Sequence, residues 1–444
     1  MIEIPCVFII MAFSQVEAHV EVEEIVATCE PPGNGAGPFW CYGSPLIFRW
    51  KDDVFVSAME TGEDVPLLCN TRWRIFRKHG NEDWVLMAVN DDFNQREPCP
   101  LVGFRDGRIF LSVNPSTQPK GTKYGNCDPH LLEFSAKSPR NSGLPSVPAW
   151  EGEYVFTDHS YRGIAADGEQ GEILLLNIHA QTGEQLWSFR NSKGEWTGNG
   201  RIKFPIRSCY PQVCLKDKAG HVMAIGDIVE PKEEWRKYKH EKTGRDWDYV
   251  FRRLFYTWNP DVTKRDFSEP VEIENLDETA GHISNLDMWI DKDGKAHILY
   301  LKRSVQSELM RERFFPEVPM QVSLEYAVLQ EGKIINRDTL FKGGEGASEL
   351  MPGYSRFHID ANGNLWIMYY CSGKDEDGIQ VSENRLLKLF PEKSEKPVSI
   401  GFQHPFGSFF TAIQRGGSVP SDVIDIFGPG SKPKELKYAR VRIK

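Results

Sequence analysis

Apolar and polar positions along this chain alternate in short runs rather than in helical periods. Two runs of apolar, β-branched or aromatic residues repeatedly flank a turn of the Asp-Gly or Asn-Gly kind, the strongest local signal for a β-hairpin. The first unit reads Pro45 to Phe48, Lys51-Asp52-Asp53, then Val54 to Val56. It returns as Leu101 to Phe104 with Ile109 to Leu111 around Arg105-Asp106-Gly107, and as Tyr161 to Ala165 with Ile173 to Leu176 around Asp167-Gly168. It returns again as Tyr210 to Leu215 with Val222 to Ile225, as Leu286 to Ile290 with His297 to Tyr300, and as Arg356 to Ile359 with Leu365 to Tyr369. A seventh, weaker copy runs from Ser408-Phe409-Phe410 through Gly416-Gly417 to Val423 to Ile426. Each copy is followed by a further strand-like run, such as Trp73 to Phe76, Leu186 to Phe189 or Leu254 to Trp258.

A unit of about four short strands, recurring every roughly 50 to 75 residues, predicts a β-propeller. The fold class is all-β, with seven blades of four antiparallel strands; six blades is the alternative count, and a two-domain β-sandwich the competing architecture. The strands read apolar on both sides because each blade packs both faces on its neighbours. Propellers close by pairing the two ends of the chain in one blade. His19 to Val26 is therefore expected as the outer strand of the blade that ends with Tyr438 to Ile443. With no internal linker, residues 19–444 read as one domain. Two stretches interrupt the β pattern, Pro231 to Arg252 and Ser304 to Met320. Both follow the second strand of a blade, so both belong to one face of the ring, where long insertions tend to carry function.

Residues 1–18 read as a signal peptide: Pro5 to Phe13 is a short apolar run, followed by Val16-Glu17-Ala18 as a cleavage site, although no basic residue precedes it. The expected location is secreted or periplasmic, with no membrane insertion, since no other apolar segment approaches membrane length. The nine cysteines are dispersed and contain no CxxC pair, which argues against a disulfide scaffold or a zinc ribbon. A hydrophobic fraction of 40%, with 12 Trp and 26 Phe, excludes disorder. A net charge of −10 argues against a nucleic-acid partner, which a protein binds by neutralising phosphates. It does not exclude an anionic ligand met by a local cluster of arginines.

The first strand of each propeller blade starts at the central channel, so residues at those starts converge from every blade. Here they are polar and aromatic: Trp40-Cys41-Tyr42, Arg96-Glu97, Asp158 to Arg162, Arg207 to Tyr210, Gly281 to Asn285, Gly353 to Arg356 and Phe406 to Ser408. His is the usual acid or base near neutral pH, Tyr joins it once neighbouring cations lower its pKa, and Arg holds carboxylates bidentately. His159, Tyr210, His282 and Tyr354 are the candidate catalytic residues. Arg162, Arg356, Tyr161, Asn285, Trp40, Tyr42 and Trp235 are the candidate substrate-binding residues.

The repeated hairpins resemble the BNR-type, sialidase-like propellers, although the strict Asp-box is absent. Gly35 to Tyr42 is similar to the first-blade signature of uronate-linked sugar-cleaving propellers of the α-L-rhamnosidase and rhamnose–glucuronate lyase group. His159-Ser160-Tyr161 and Tyr210-Pro211 resemble blade starts of ulvan lyase propellers, in which His, Tyr and Arg serve catalysis. The overall pattern also resembles secreted propellers of environmental bacteria. The resemblance implies a carbohydrate-active protein taking an anionic, uronate-containing polysaccharide or oligosaccharide. In a β-elimination, Arg162 or Arg356 would neutralise the uronate carboxylate, His159 or Tyr210 would take the C5 proton, and Tyr354 or His282 would protonate the leaving oxygen. The first alternative is a sialidase-like hydrolase with a Tyr nucleophile, an Arg clamp, and Glu60, Glu97 or Glu230 as base. The second is a non-catalytic binding platform in which exposed Trp235 and Trp247 stack on sugars or a protein.

No cofactor and no catalytic metal is expected. Asp291-Lys292-Asp293-Gly294 and Asp360-Ala361-Asn362-Gly363 are hairpin turns that lack the closing Glu of a calcium loop, though a structural calcium ion elsewhere in the channel is compatible with the sequence. A monomer is expected. Gly33 to Gly37 superficially resembles a dinucleotide loop but has no helix after it.

Overall fold

The computed structural model describes residues 17–40, 43–138, 143–375 and 377–444. The expected signal segment therefore lies outside the described residues, apart from its last two positions. Seven four-stranded antiparallel sheets follow one another along the described chain and form a seven-bladed β-propeller. The inner strands of blades 1 to 7 are Ile47–Trp50, Leu101–Gly103, Gly163–Asp167, Ser208–Lys216, His282–Ile290, Met351–Ile359 and Phe410–Thr411. Each is the first arm of one of the hairpins expected from the repeat. The ring closes as expected: Ala18–Thr28 is the outer strand of blade 7 and pairs antiparallel with Glu435–Ile443, Val20 opposite Val441.

Blade 3 shows why these sequences read apolar on both sides. Its inner three strands, Gly163–Asp167, Glu172–Ile178 and Gln185–Arg190, are buried at every position, and only the outer Trp196–Ile202 alternates with solvent. One apolar cluster fills each of the seven interfaces between adjacent blades. At the interface of blades 3 and 4, for example, Leu174, Leu176 and Trp187 meet Val213, Val222 and Phe255.

The weakness of the seventh copy has a structural cause. Its hairpin is opened by a long loop between Phe410–Thr411 and Val423–Pro429 that crosses the lower mouth of the channel. Gly416 bridges Ala166 of blade 3 in parallel and accepts the Gly103 N–H of blade 2 at 2.9 Å. Gly417 passes so close to blade 2 that a Cβ there would stand 1.8 Å from the Gly103 carbonyl oxygen, and its φ is +90°. From this loop Arg415 reaches inward, where its Nε donates to buried Asp287 at 3.0 Å and its Nη1 to the Gly43 carbonyl at 2.6 Å. Gly43 belongs to the connection that enters blade 1 from the upper face. The channel is thus bridged across its middle, with a solvent-open lower cavity lined by Asp167, Lys216, Trp289 and Gln414 on one side and the upper mouth on the other.

The two insertions form a cap on the upper face. Helix α1 (Glu233–Thr243) begins with two acidic residues and ends at Gly244, whose φ of +65° terminates it. Helix α2 (Glu308–Phe314) is capped by Ser307, whose side chain accepts the Met310 N–H. The helices share a small core of Trp235, Ala280, Val305 and Met310, with Phe314 and Phe315 against it. No helix of the described residues is long and apolar enough to cross a membrane.

Candidate functional site

The upper mouth is lined by the starts of the inner strands, and three consecutive blades are irregular there. Register shifts interrupt pairing between Cys209 and Gln212 in blade 4, Asn285 and Asp287 in blade 5, and Pro352 and Ser355 in blade 6. Bulges of this kind re-aim side chains at barrel rims and beside active sites. Tyr161 and Tyr210, at the entries of blades 3 and 4, have φ of 41° and 50°. A bulky residue in the left-handed region carries strain of about 1–3 kcal/mol, held only because the surroundings over-determine it.

Those surroundings are aromatic. Tyr161 and Tyr210 meet edge to face at 5.0 Å, and Trp40 lies edge-on to Tyr210 at 5.9 Å. Phe251, from the end of the blade-4 insertion, touches Tyr210 at 6.1 Å and His282 at 5.8 Å. His159 stands 6.4 Å from Tyr161, whose other neighbour is the Arg207 guanidinium, 5.3 Å from the ring centre. The structure therefore unites Trp40, His159, Tyr161, Tyr210 and His282 in one row, linked by Phe251, which sequence reading did not single out.

The two histidines sit in opposite electrostatic settings. His159 is half-exposed, and its Nδ1 lies 2.8 Å from Asp158 Oδ2, which fixes the ring. Burial alone would raise the Asp158 carboxyl, but His159, the Gly125 N–H and Arg96 outweigh it and hold it below the usual carboxylate range. His282 faces cations instead. Burial, then Arg303 and Arg252, push it down to about 4. Arg303 is its direct cross-strand partner in the blade-5 hairpin, and cross-strand partners project on one face of a sheet. It is exposed and forms no ion pair among the described residues.

Several expectations need correction. Arg162 is buried and donates to the backbone carbonyls of Ser112 at 2.6 Å and Pro98 at 2.8 Å, so it braces the channel wall and cannot face a ligand. Arg356 is also fully buried, against the Tyr354 hydroxyl and the Phe410 ring. Asn285 is a strut whose Nδ2 donates to the Tyr210 carbonyl at 2.7 Å, setting the height of that strained residue. Trp235 belongs to the cap core at 7% exposure, between Lys232 and Arg252, and offers no platform. Tyr354 packs edge-on against Phe409 in blade 7, and burial pushes it up to about 12. His282, held in its neutral form by burial and the two arginines, suits a base better than a proton donor. Glu60 pairs with Arg72, Glu97 accepts the Ser160 hydroxyl, and Glu230 lies in a buried cluster with Arg252 and Lys239. Tyr42 lies outside the described residues. No group of three or more His, Cys, Asp or Glu among the described residues is arranged to hold a metal ion.

Buried neutral histidines make stability depend on pH. His221, fully buried with its Nδ1 2.7 Å from the Tyr256 hydroxyl, is pushed down to about 3 from 6.5, chiefly by burial. A depressed folded pKa means that the unfolded chain binds the proton first. The stabilisation is then complete above about pH 6.5 and is lost as pH falls toward 3. Between about pH 7 and pH 5 this residue alone costs about 2 kcal/mol. In urea unfolding, the native protein is expected to lose that much more than His221→Gln over the same interval. Parallel losses in the two proteins would remove His221 from the account.

No family model matches the chain, and no curated protein matches it. Solved structures do resemble it. A polysaccharide lyase, Uly1, aligns over 90% of this chain and 89% of its own at 10% identity and a TM-score of 0.49. An α-L-arabinofuranosidase from Fusarium graminearum, in complex with an iminosugar inhibitor, covers 77% of this chain and 91% of its own at 9% identity, with a TM-score of 0.43. Hydrazine synthase of Kuenenia stuttgartiensis covers 90% and 94% at 11% identity, also with a TM-score of 0.43.

Proposed function

We propose that the upper mouth binds a uronate-containing polysaccharide and cleaves it by β-elimination. The observation that carries this reading is the His282–Arg303 pair: a neutral imidazole and an exposed guanidinium side by side on one sheet face. A uronate presents its carboxylate and its acidic C5 proton on the same carbon, so it needs a cation and a base at adjacent positions. Arg303 faces the carboxylate and stabilises the enolate-like charge that develops there. His282 takes the proton. The incoming carboxylate also offsets the cations that depress His282, so binding strengthens the base. The electron pair left on C5 forms the C4–C5 double bond, the C4–O bond breaks, and the Tyr210 hydroxyl protonates the leaving oxygen. Asp158 and His159, with Arg207, line the far side of the row, where the neighbouring sugar lies.

The hydrolase reading needs an ionised Tyr nucleophile. Burial holds both Tyr354 and Tyr161 well above the usual tyrosine range. These environments favour elimination. The test is purified protein on a panel of polyuronates, followed by near-UV absorbance beside reducing-end detection. New absorbance from an unsaturated uronate is the expected result. Reducing ends without absorbance would establish hydrolysis in its place, and silence in both would leave the mouth a binding surface.

A further inference from the structure

The chain leaves the cap through an alternating segment, Trp247-Asp248-Tyr249-Val250-Phe251-Arg252. Val250 and Arg252 are buried at 3% and 2%, and the ribbon of Ile228–Val229 with Tyr249–Val250 fixes the strand. Successive strand side chains point to opposite sides, so Trp247, Tyr249 and Phe251 share the open one. Their exposure rises outward: Phe251 is partly buried against Tyr210 and His282, Tyr249 is 39% exposed, and Trp247 is 77% exposed. The rings of Trp247 and Tyr249 lie nearly parallel, 6.4 Å apart with 20° between planes. Trp235, in the same insertion, is buried in the cap core, so the exposure of Trp247 is not for want of an apolar site nearby. Contiguous exposed apolar surface of this kind marks an interaction site.

We infer that Phe251, Tyr249 and Trp247 form a track along which a polyuronate chain extends from the mouth, its sugar rings stacking their C–H faces on the aromatic planes. This rests on the polyuronate reading above and adds to it that the preferred substrate is a long chain, not a short oligosaccharide. The buried partners of the segment keep it in place. Lys239 donates to Asp248 at 2.8 Å and to Glu230 at 2.9 Å, and Arg252 holds Glu230 from the other side.

The test is affinity electrophoresis of the full chain through gels containing polygalacturonate, alginate or ulvan, with dextran as the neutral control. Native protein is expected to be retarded in a polyuronate gel and not in dextran. Trp247→Ala and Tyr249→Ala are each expected to weaken that retardation about tenfold in Kd, with an unchanged melting temperature. In kinetics on the cleaved polymer, Trp247→Ala is expected to raise KM with kcat preserved, and to leave a trisaccharide substrate unaffected. Retardation of both variants equal to native overturns the track while the polyuronate reading stands. Native protein that is not retarded by any polyuronate, or retarded equally by dextran, overturns the polyuronate reading and the track with it.

Discussion

His282→Gln is expected to lower eliminative turnover by about 10²–10⁴-fold, the usual share of a positioned general base, while polymer binding stays within a few-fold of native. The imidazole is needed for proton transfer, whereas the sugar is held by Arg303 and the aromatic row. A structural role for His282 would also lower activity, so the loss alone does not decide the matter. The pH profile does. For the free enzyme, kcat/KM should fall on an acid limb near 4, where His282 takes up a proton and ceases to be a base. Arg303→Gln removes a cation beside the ring, which makes protonation easier. Its acid limb should therefore move to higher pH, together with a weakened KM for the charged substrate. A limb that stays in place in Arg303→Gln, or one set by a group other than His282, would take the pair out of the chemistry.

Much of the scaffold was legible because the same short-range rules apply in every blade. Asp-Gly and Asn-Gly turns between β-type runs locate four of the hairpins directly, and the seven copies of the repeat together point to the ring and to its closing strand at Ala18–Thr28. The site was legible only as a set of strand starts. Which side chain faces the mouth depends on bulges at Cys209–Gln212 and Asn285–Asp287 and on the positive φ of Tyr161 and Tyr210. Neither feature has a one-residue signature. Arginine was misread for a related reason. Arg162 immediately precedes a buried strand and Arg356 lies within one, where a guanidinium is tolerated only if its donors find carbonyls or ring faces, and both found them. Arg303 lies at the end of a second strand, outside the converging positions, and pattern alone gave it no weight. The alternation of Trp247, Tyr249 and Phe251 was present in the sequence. It acquired meaning only once Phe251 was placed against His282.

Arg415→Met is expected to destabilise the protein by about 3–5 kcal/mol, because it leaves the Asp287 carboxylate buried without its counter-charge. Both side chains are almost wholly buried, at 3% and 1% exposure. Asp287 also accepts the backbone N–H of Phe357 at 3.0 Å and of Met288 at 2.9 Å, so it joins blades 5 and 6 as well as the plug. Asp287→Asn keeps an acceptor for only one of those N–H groups, which approach different carboxylate oxygens, and leaves the guanidinium with one carbonyl partner. Combining Arg415→Met with Asp287→Asn removes both charges, and the double variant should be more stable than the sum of the two single losses predicts. For a chain of this size, about 4 kcal/mol corresponds to a drop of about 4 °C in Tm. The loss should also reach the mouth. Arg415 holds the Gly43 carbonyl, and Gly43 packs so closely on blade 4 that a Cβ there would lie 2.9 Å from the Pro211 carbonyl and 3.1 Å from that of Tyr210. Releasing Gly43 removes one of the restraints that keep Tyr210 in its strained conformation, so kcat in the surviving folded fraction should fall although Arg415 never meets the substrate. Additive single losses, or a stability change under about 1 kcal/mol, would mean that the ring is held by its blade interfaces alone and that the plug is an independent loop.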